Sequence, residues 1–206
     1  MNRLLAAVYD PIMSRTEEAC LLEWRRELLG GVAGEVLELG AGTGRNVELY
    51  PATLQRLVLT EPHPAMFQQL QTRVAQTRRG HVMCARASAE QLPFSPRTFD
   101  FVVVTLVLCS VSDVDRTLGE IRRVLRPGGQ LVFMEHVAAE DRPGRLRLQR
   151  FLEPAWKRLA GNCHLTRRTA DALAQAGFRM ERVRRESMRK APAFVRPMVL
   201  GVARRD

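Results

Sequence analysis

Apolar positions along the chain fall into short runs separated by stretches of helical spacing, which predicts alternating strands and helices. Val36, Leu37 and Leu39 form the first run, which carries Glu38 and leads into Gly40-Ala41-Gly42-Thr43-Gly44. Runs at residues 56–60, 81–86, 99–105 and 130–136 predict four more strands. The stretch at 99–105 is nearly all apolar, as a strand covered on both faces must be. Helical spacing marks residues 12–29, where Ala19, Leu22, Leu28 and Leu29 recur among charges before Gly30-Gly31, and residues 64–76. Val114, Leu118, Ile121 and Leu125 share one helical face, with Asp113 placed as N-cap and Pro127-Gly128-Gly129 as the stop. A shorter helix is expected over 43–49, halted by Pro51.

Beyond residue 140 the pattern changes. Leu148, Phe151, Leu152, Ala155, Trp156 and Leu159 make a wide apolar stripe, with Arg145, Arg147, Arg150 and Lys157 largely off it. Such a helix covers a pocket within 140–176, packs on the sheet, or lies on a membrane surface. A helix from a Thr166 cap to Gly177 and two strands, near 178–186 and 194–203, complete the chain. The expectation is α/β: a right-handed, doubly wound, seven-stranded sheet, mostly parallel with an antiparallel edge, forming a single domain over residues 1–206. In such sheets ligands bind at the C-terminal ends of the strands. Glu38, Glu61, Thr105 and His136 all fall there.

The glycine spacing narrows the ligand. Glycines at 40, 42 and 44 followed by Arg45 do not make the G-x-G-x-x-G of dinucleotide sites, and no G-x-x-x-x-G-K-[ST] is present. The loop is either a close backbone approach to a ligand or a tight turn with none. Glu61 lies 17 residues beyond Gly44, where an acidic side chain accepts hydrogen bonds from ribose hydroxyls or else caps the next helix. A loop at 87–94 would place Ser88 and the Ala89 backbone at a base edge. Tyr9-Asp10-Pro11 folds over the ligand as a lid or is a surface attachment. Cys109, at the exit of the 99–105 strand, is a packed small side chain or a nucleophile.

Composition changes little of this. At 206 residues and 46% hydrophobic content the chain suits one core. No apolar run reaches the ~18 residues that cross a bilayer, and the apolar start at residues 1–8 is short for a signal peptide. These features predict a soluble, cytoplasmic protein. Four scattered cysteines and four histidines show no metal spacing, so no metal is expected. The net charge of +10, mostly arginine, suits nucleic acid, an anionic membrane surface, or a solvated basic face. No recognisable nucleic-acid motif favours the first, and oligomeric state is not readable.

The motifs at 38–44 (ELGAGTG), 89–94 (AEQLPF) and 121–129 (IRRVLRPGG) resemble those of class I S-adenosylmethionine-dependent methyltransferases, which are Rossmann-like. Within that class, residues 105–111, 135–137, 153–157 and 163–167 look like the methyltransferase-like protein 7 group, whose members are associated with methyl transfer to alkyl thiols. The resemblance implies S-adenosylmethionine held by Glu38, Gly40, Ala41, Gly42, Gly44, Glu61, Pro62, Met66, Ser88, Ala89, Glu90, Thr105 and Leu106, with helix N–H groups after the glycines facing its carboxylate. Ser88 stands where the family usually carries aspartate. The small-molecule acceptor would meet Tyr9, Cys109, Trp156, His164 and Arg167; Thr166 and Arg167 serve equally as a helix start. His136 is the candidate general base for an acceptor thiol, or a side chain that shapes the pocket. The wider family also modifies quinones and phospholipid head groups. An RNA methyltransferase and a non-catalytic cofactor-binding regulator are the rival readings.

Overall fold

The computed structural model describes the backbone of residues 3–77 and 79–206, and side chains from Tyr9 onwards except Arg78; Met1 and Asn2 lie outside the described residues. The elements in order are α1 (Arg3–Thr16), a π-helical turn (Glu17–Leu21), α2 (Leu22–Leu29), β1 (Glu35–Leu39), β2 (Arg56–Thr60), α3 (Pro64–Thr77), β3 (Val82–Ala85), β4 (Phe99–Thr105), α4 (Val114–Val124), β5 (Leu125–His136), α5 (Pro143–Leu159), α6 (Thr169–Gln175), β6 (Phe178–Ser187) and β7 (Pro197–Arg205). They build one seven-stranded sheet of order β3-β2-β1-β4-β5-β7-β6. The first five strands run parallel, and β7 enters antiparallel between β5 and β6.

Successive strand side chains point to opposite faces, and the core divides accordingly. Leu37, Leu39, Val102, Val104, Leu131 and Phe133 join Leu118 and Ile121 of α4 and Leu173 of α6 on one face. Val36, Val103 and Val132 join Leu29 of α2 and Leu70 of α3 on the other. This two-sided burial explains why β2 and β4 carry unbroken apolar runs and were readable to the residue. The Asp113 side chain caps α4 as expected, accepting from the Arg116 N–H at 2.9 Å.

Four elements differ from the sequence reading. No α-helix follows the glycines; residues 43–46 form turns and only Val47–Leu49 makes a 3-10 turn. The Asn46 side chain, which a helix would turn elsewhere, is held by Glu38 at 2.8 Å and Thr105 at 3.2 Å. The leading helix begins at Arg3, so Tyr9-Asp10-Pro11 lies within α1. Helix α4 ends at Val124, and Pro127-Gly128-Gly129 sits in the irregular start of β5, where the register slips between Phe99 and Phe101. Thr166 does not cap α6, which starts at Thr169; its hydroxyl and N–H both bind Glu153, at 2.6 and 2.8 Å.

On α5 the apolar stripe is divided. Leu152 and Trp156 pack inward, with Trp156 edge-on to Phe194 at 5.1 Å between ring centroids. Leu148, Phe151 and Leu159 stay exposed, Phe151 at 81%.

Candidate active site

A cavity of about 640 Å³ opens at the C-terminal ends of β1, β2, β4 and β5. Its first wall is the β1 exit. Gly40 and Gly42 hold φ of +58°, a conformation that L side chains rarely adopt, and a Cβ on Gly40 would meet Val107 at 2.7 Å. The Gly42 N–H donates to the Glu61 carboxylate at 3.0 Å, and the His63 N–H donates to its other oxygen at 2.8 Å. Each oxygen keeps lone-pair capacity. Burial raises the Glu61 carboxyl above the usual carboxylate range, against the pull of those two N–H groups.

The floor is a buried polar chain. Arg25 donates to both carboxylate oxygens of Glu17, at 3.3 and 3.1 Å, and to Asn46 and Thr105 at 2.9 Å each. Asn46 passes the chain to Glu38, whose other oxygen accepts from the Tyr50 hydroxyl at 2.8 Å. Burial pushes the Glu38 carboxyl up. These contacts tie α2, β1 and β4 to one another beneath the cavity.

The roof is α1. The Asp10 carboxylate accepts from Thr43 at 2.8 Å, Arg45 at 3.1 Å and Arg73 at 3.1 Å. Burial alone would raise the Asp10 carboxyl, yet Thr43 and the two arginines hold it below its ordinary value. Thus α1 is clasped onto the glycine loop, and Tyr9, Ile12 and Met13 face the cavity. Burial holds the Tyr9 phenol up at about 12.

The far wall is built on β5. Leu106 turns left-handed, φ +61°, at the exit of β4. Glu135, fully buried, accepts from the Val107 N–H at 2.9 Å and the Cys109 N–H at 3.1 Å, which fixes this turn. Next to it His136, 2% exposed, lines the cavity. Its Nδ1 lies 4.0 Å from the Cys163 sulfur, and its Nε2 is buried with no partner among the described residues.

Residues 37–133 match a protein family described as Methyltransferase domain. The thiol S-methyltransferase TMT1B of Homo sapiens is 36% identical over 207 residues, covering 97% of this chain and 84% of that protein. A demethylmenaquinone methyltransferase of Thermobifida fusca is 35% identical over 147 residues, covering 65% and 61%. An S-adenosylmethionine-dependent methyltransferase structure from Mesorhizobium loti superposes with a TM-score of 0.68 at 23% identity, over 92% of this chain and all of that one. The chain is a class I S-adenosylmethionine-dependent methyltransferase.

This methyltransferase transfers a methyl group from S-adenosylmethionine to a small-molecule acceptor and leaves S-adenosylhomocysteine. The cavity fits the donor: a glycine-edged opening at β1 and spare acceptor capacity on Glu61 at the end of β2. The wall gathers Glu38, Gly40, Ala41, Gly42, Glu61, Pro62, Met66, Ser88, Ala89, Glu90, Thr105 and Leu106, together with Tyr9, Cys109, Trp156 and His136.

Three residues placed there by sequence are elsewhere. Gly44 stands behind the loop, where a Cβ would meet Leu70 of α3 at 2.9 Å. Arg167 is drawn off by the Val111 carbonyl at 2.7 Å, and His164 lies beside Glu153 at 3.6 Å. Of the 140–176 cover, α5 and the loop after it reach the cavity through Trp156, Ala160, Gly161 and Cys163, while α6 packs behind the sheet. Sequence reasoning missed Arg25 and Glu135. Both had a signal: Arg25 shares a helical face with Leu21, Leu28 and Leu29, and Glu135 is a lone carboxylate in an apolar strand.

Glu135 also makes stability depend on pH. Burial pushes its carboxyl from 4.5 up to about 7, although the N–H groups of Val107, Leu108 and Cys109 pull it back. The folded state therefore binds this proton more tightly than the unfolded chain. The resulting stabilisation is fully present below about pH 4.5 and is lost as pH rises through about 7. Its size is roughly 3 kcal/mol at 1.4 kcal/mol per pH unit. Chemical denaturation between pH 5.5 and 8.5 should show stability declining with pH in the native protein and a flatter profile in Glu135→Gln. Parallel profiles would mean that another group carries the dependence.

Proposed function

We propose that the acceptor is a thiol and that His136 takes its proton. The observation that carries this reading is His136, which lines the cavity and whose Nε2 is buried without a partner among the described residues. A thiol must become a thiolate to act as a nucleophile, and a neutral imidazole within hydrogen-bond reach is suited to receive that proton. The apolar lining from Ile12, Met13, Leu106, Trp156 and Val195 suits a lipophilic body on the acceptor. The thiol S-methyltransferase named among the relatives supports the same class.

When bound, the cofactor supplies an activated methyl group. In this proposal Glu61 receives the ribose hydroxyls, Ser88, Ala89 and Glu90 edge the adenine, and the backbone at Gly40–Gly42 and Thr105–Leu106 flanks the remainder. The clasp of Asp10 on Thr43, Arg45 and Arg73 keeps α1 over the site and water out.

Methyl transfer from labelled S-adenosylmethionine to a panel of alkyl thiols, phenols, quinols, amines and RNA tests the acceptor. Transfer confined to thiols is the expected result. Transfer to quinols or RNA alone would overturn it. Glu61→Ala should weaken donor binding by about 1–3 kcal/mol through lost charge-assisted hydrogen bonds. Because the Glu61 carboxyl is raised, donor affinity should also fall on acidification at a higher pH than an exposed glutamate would allow. Calorimetric titration of the folded variant measures both, and unchanged affinity would remove Glu61 from the donor site.

No described helix is long and apolar enough to cross a membrane. A cytoplasmic setting belongs to this proposal, with peripheral contact to anionic lipid as a second reading. That contact is favoured by Leu148, Phe151 and Leu159, exposed on α5 beside exposed Arg147, Arg150 and Arg158. Salt-sensitive sedimentation with anionic vesicles would support it, and absence of binding at low salt would remove it.

A further inference from the structure

Two of the four free cysteines meet on the acceptor side of the cavity. Cys109 follows the left-handed turn at Leu106, and Cys163 lies in the loop between α5 and α6. The two segments are laced together: the His164 N–H donates to the Cys109 carbonyl at 2.7 Å, and the Asn162 side chain donates to the Ser110 carbonyl at 2.9 Å. Both side chains line the same cavity. A disulfide needs Cα atoms about 4.4–6.8 Å apart, a separation in keeping with that backbone bond.

The two sulfurs are not equivalent. Cys109 is 2% exposed, whereas Cys163 is only partly buried and has His136 Nδ1 at 4.0 Å. The neighbouring Cys109, helped by His136, pulls the Cys163 thiol below its ordinary value, while Cys163 and burial push Cys109 up. Cys163 is therefore the more exposed sulfur and the readier to lose its proton, and Cys109 the more buried and the more reluctant. That is the division of labour between an attacking and a resolving cysteine.

We propose that Cys163 and Cys109 form a thiol–disulfide exchange pair that takes the disulfide form of the acceptor and releases it as free thiol within the methylation pocket. The naming of the disulfide rests on the thiol reading of that pocket. The Cys163 sulfur attacks one sulfur of R–S–S–R; a bond forms between Cys163 and that sulfur, the original S–S bond breaks, and R–S⁻ leaves. The Cys109 sulfur, giving up its proton, then attacks Cys163 and expels the second R–S⁻. Two electrons pass from the cysteine pair to the acceptor, and the two thiol protons end on two molecules of R–SH. The protein is left with a Cys109–Cys163 disulfide, which a dithiol reductant such as dithiothreitol resets.

The test is to mix the reduced full chain, without methyl donor, with 4,4′-dithiodipyridine and follow thiopyridone release, mapping the products by mass spectrometry. The expected result is a fast phase of about two equivalents, a cross-linked peptide joining Cys109 to Cys163, and no pyridyl adduct on either. Cys109→Ser should retain a stable adduct on Cys163 and halve the fast phase. Cys163→Ser should slow it at least about tenfold. Separate adducts on the two cysteines of the native chain, or no reaction at Cys163, would overturn the proposal. Methylation of a pre-reduced alkyl thiol by the same protein is read independently. Methylation without exchange removes the cysteine pair alone, and exchange without methylation removes the thiol acceptor while the pair stands.

Discussion

Arg25→Met should destabilise the fold by about 3–5 kcal/mol, because it leaves the buried Glu17 carboxylate without its partner. The guanidinium is 6% exposed at its side chain and makes four hydrogen bonds, to Glu17 twice and to Asn46 and Thr105. Methionine fills a comparable volume, so the loss would come from the uncompensated charge rather than from a cavity. At roughly 2–4 °C per kcal/mol for a chain of this size, the melting temperature should fall by 10 °C or so. Calorimetry checks it. A loss below about 1 kcal/mol would mean that Glu17 becomes protonated or finds water. The double variant Glu17→Leu with Arg25→Met should recover part of the loss, since removing both charges relieves the desolvation that one alone suffers.

His136→Ala is expected to lower thiol methylation by roughly 10²–10⁴-fold, the range that general bases contribute, while donor affinity holds. Its Nε2 has no protein partner to lose among the described residues, and its Nδ1 contact with Cys163 is a long 4.0 Å. His136→Gln retains polarity but cannot accept the proton at neutral pH, so it should be as slow as the alanine variant. Parallel losses of turnover and donor affinity would instead make His136 a structural side chain.

The sheet was legible because its causes are local. In β2 and β4, consecutive apolar side chains bury on alternate faces, and the chain itself records that requirement. One wall of the cavity was legible for the same reason: Gly40, Gly42 and Glu61 sit where strands end. The stretch after Gly42 misled because its helix-like spacing was outweighed by side chains committed elsewhere. Thr43 and Arg45 reach Asp10, and Asn46 reaches Glu38 and Thr105. Arg167 and His164 were misplaced by the opposite route, since nothing near them in sequence announces the Val111 carbonyl or Glu153. Arg25 bonds Thr105, 80 positions away, and only the folded sheet brings the two together.

The insertion of β7 between β5 and β6 sets an order of assembly. Strand β6 is synthesised before β7 but, among the described residues, has no strand neighbour other than β7. Until residues 197–205 exist, β6 can only wait as an unpaired ribbon, a form prone to pair with another chain. Its sequence is suited to that wait: Arg179, Arg182, Arg184 and Arg185 stud it with positive charge, which discourages one copy from adding to the next. Part of the basic surplus thus guards a nascent edge. The same delay falls on the active site, because β7 pairs Met198 with His136 and Val199 with Glu135. The β5 wall of the cavity is therefore among the last parts of the molecule to set, and an unfinished chain cannot yet hold Glu135 and His136 in place.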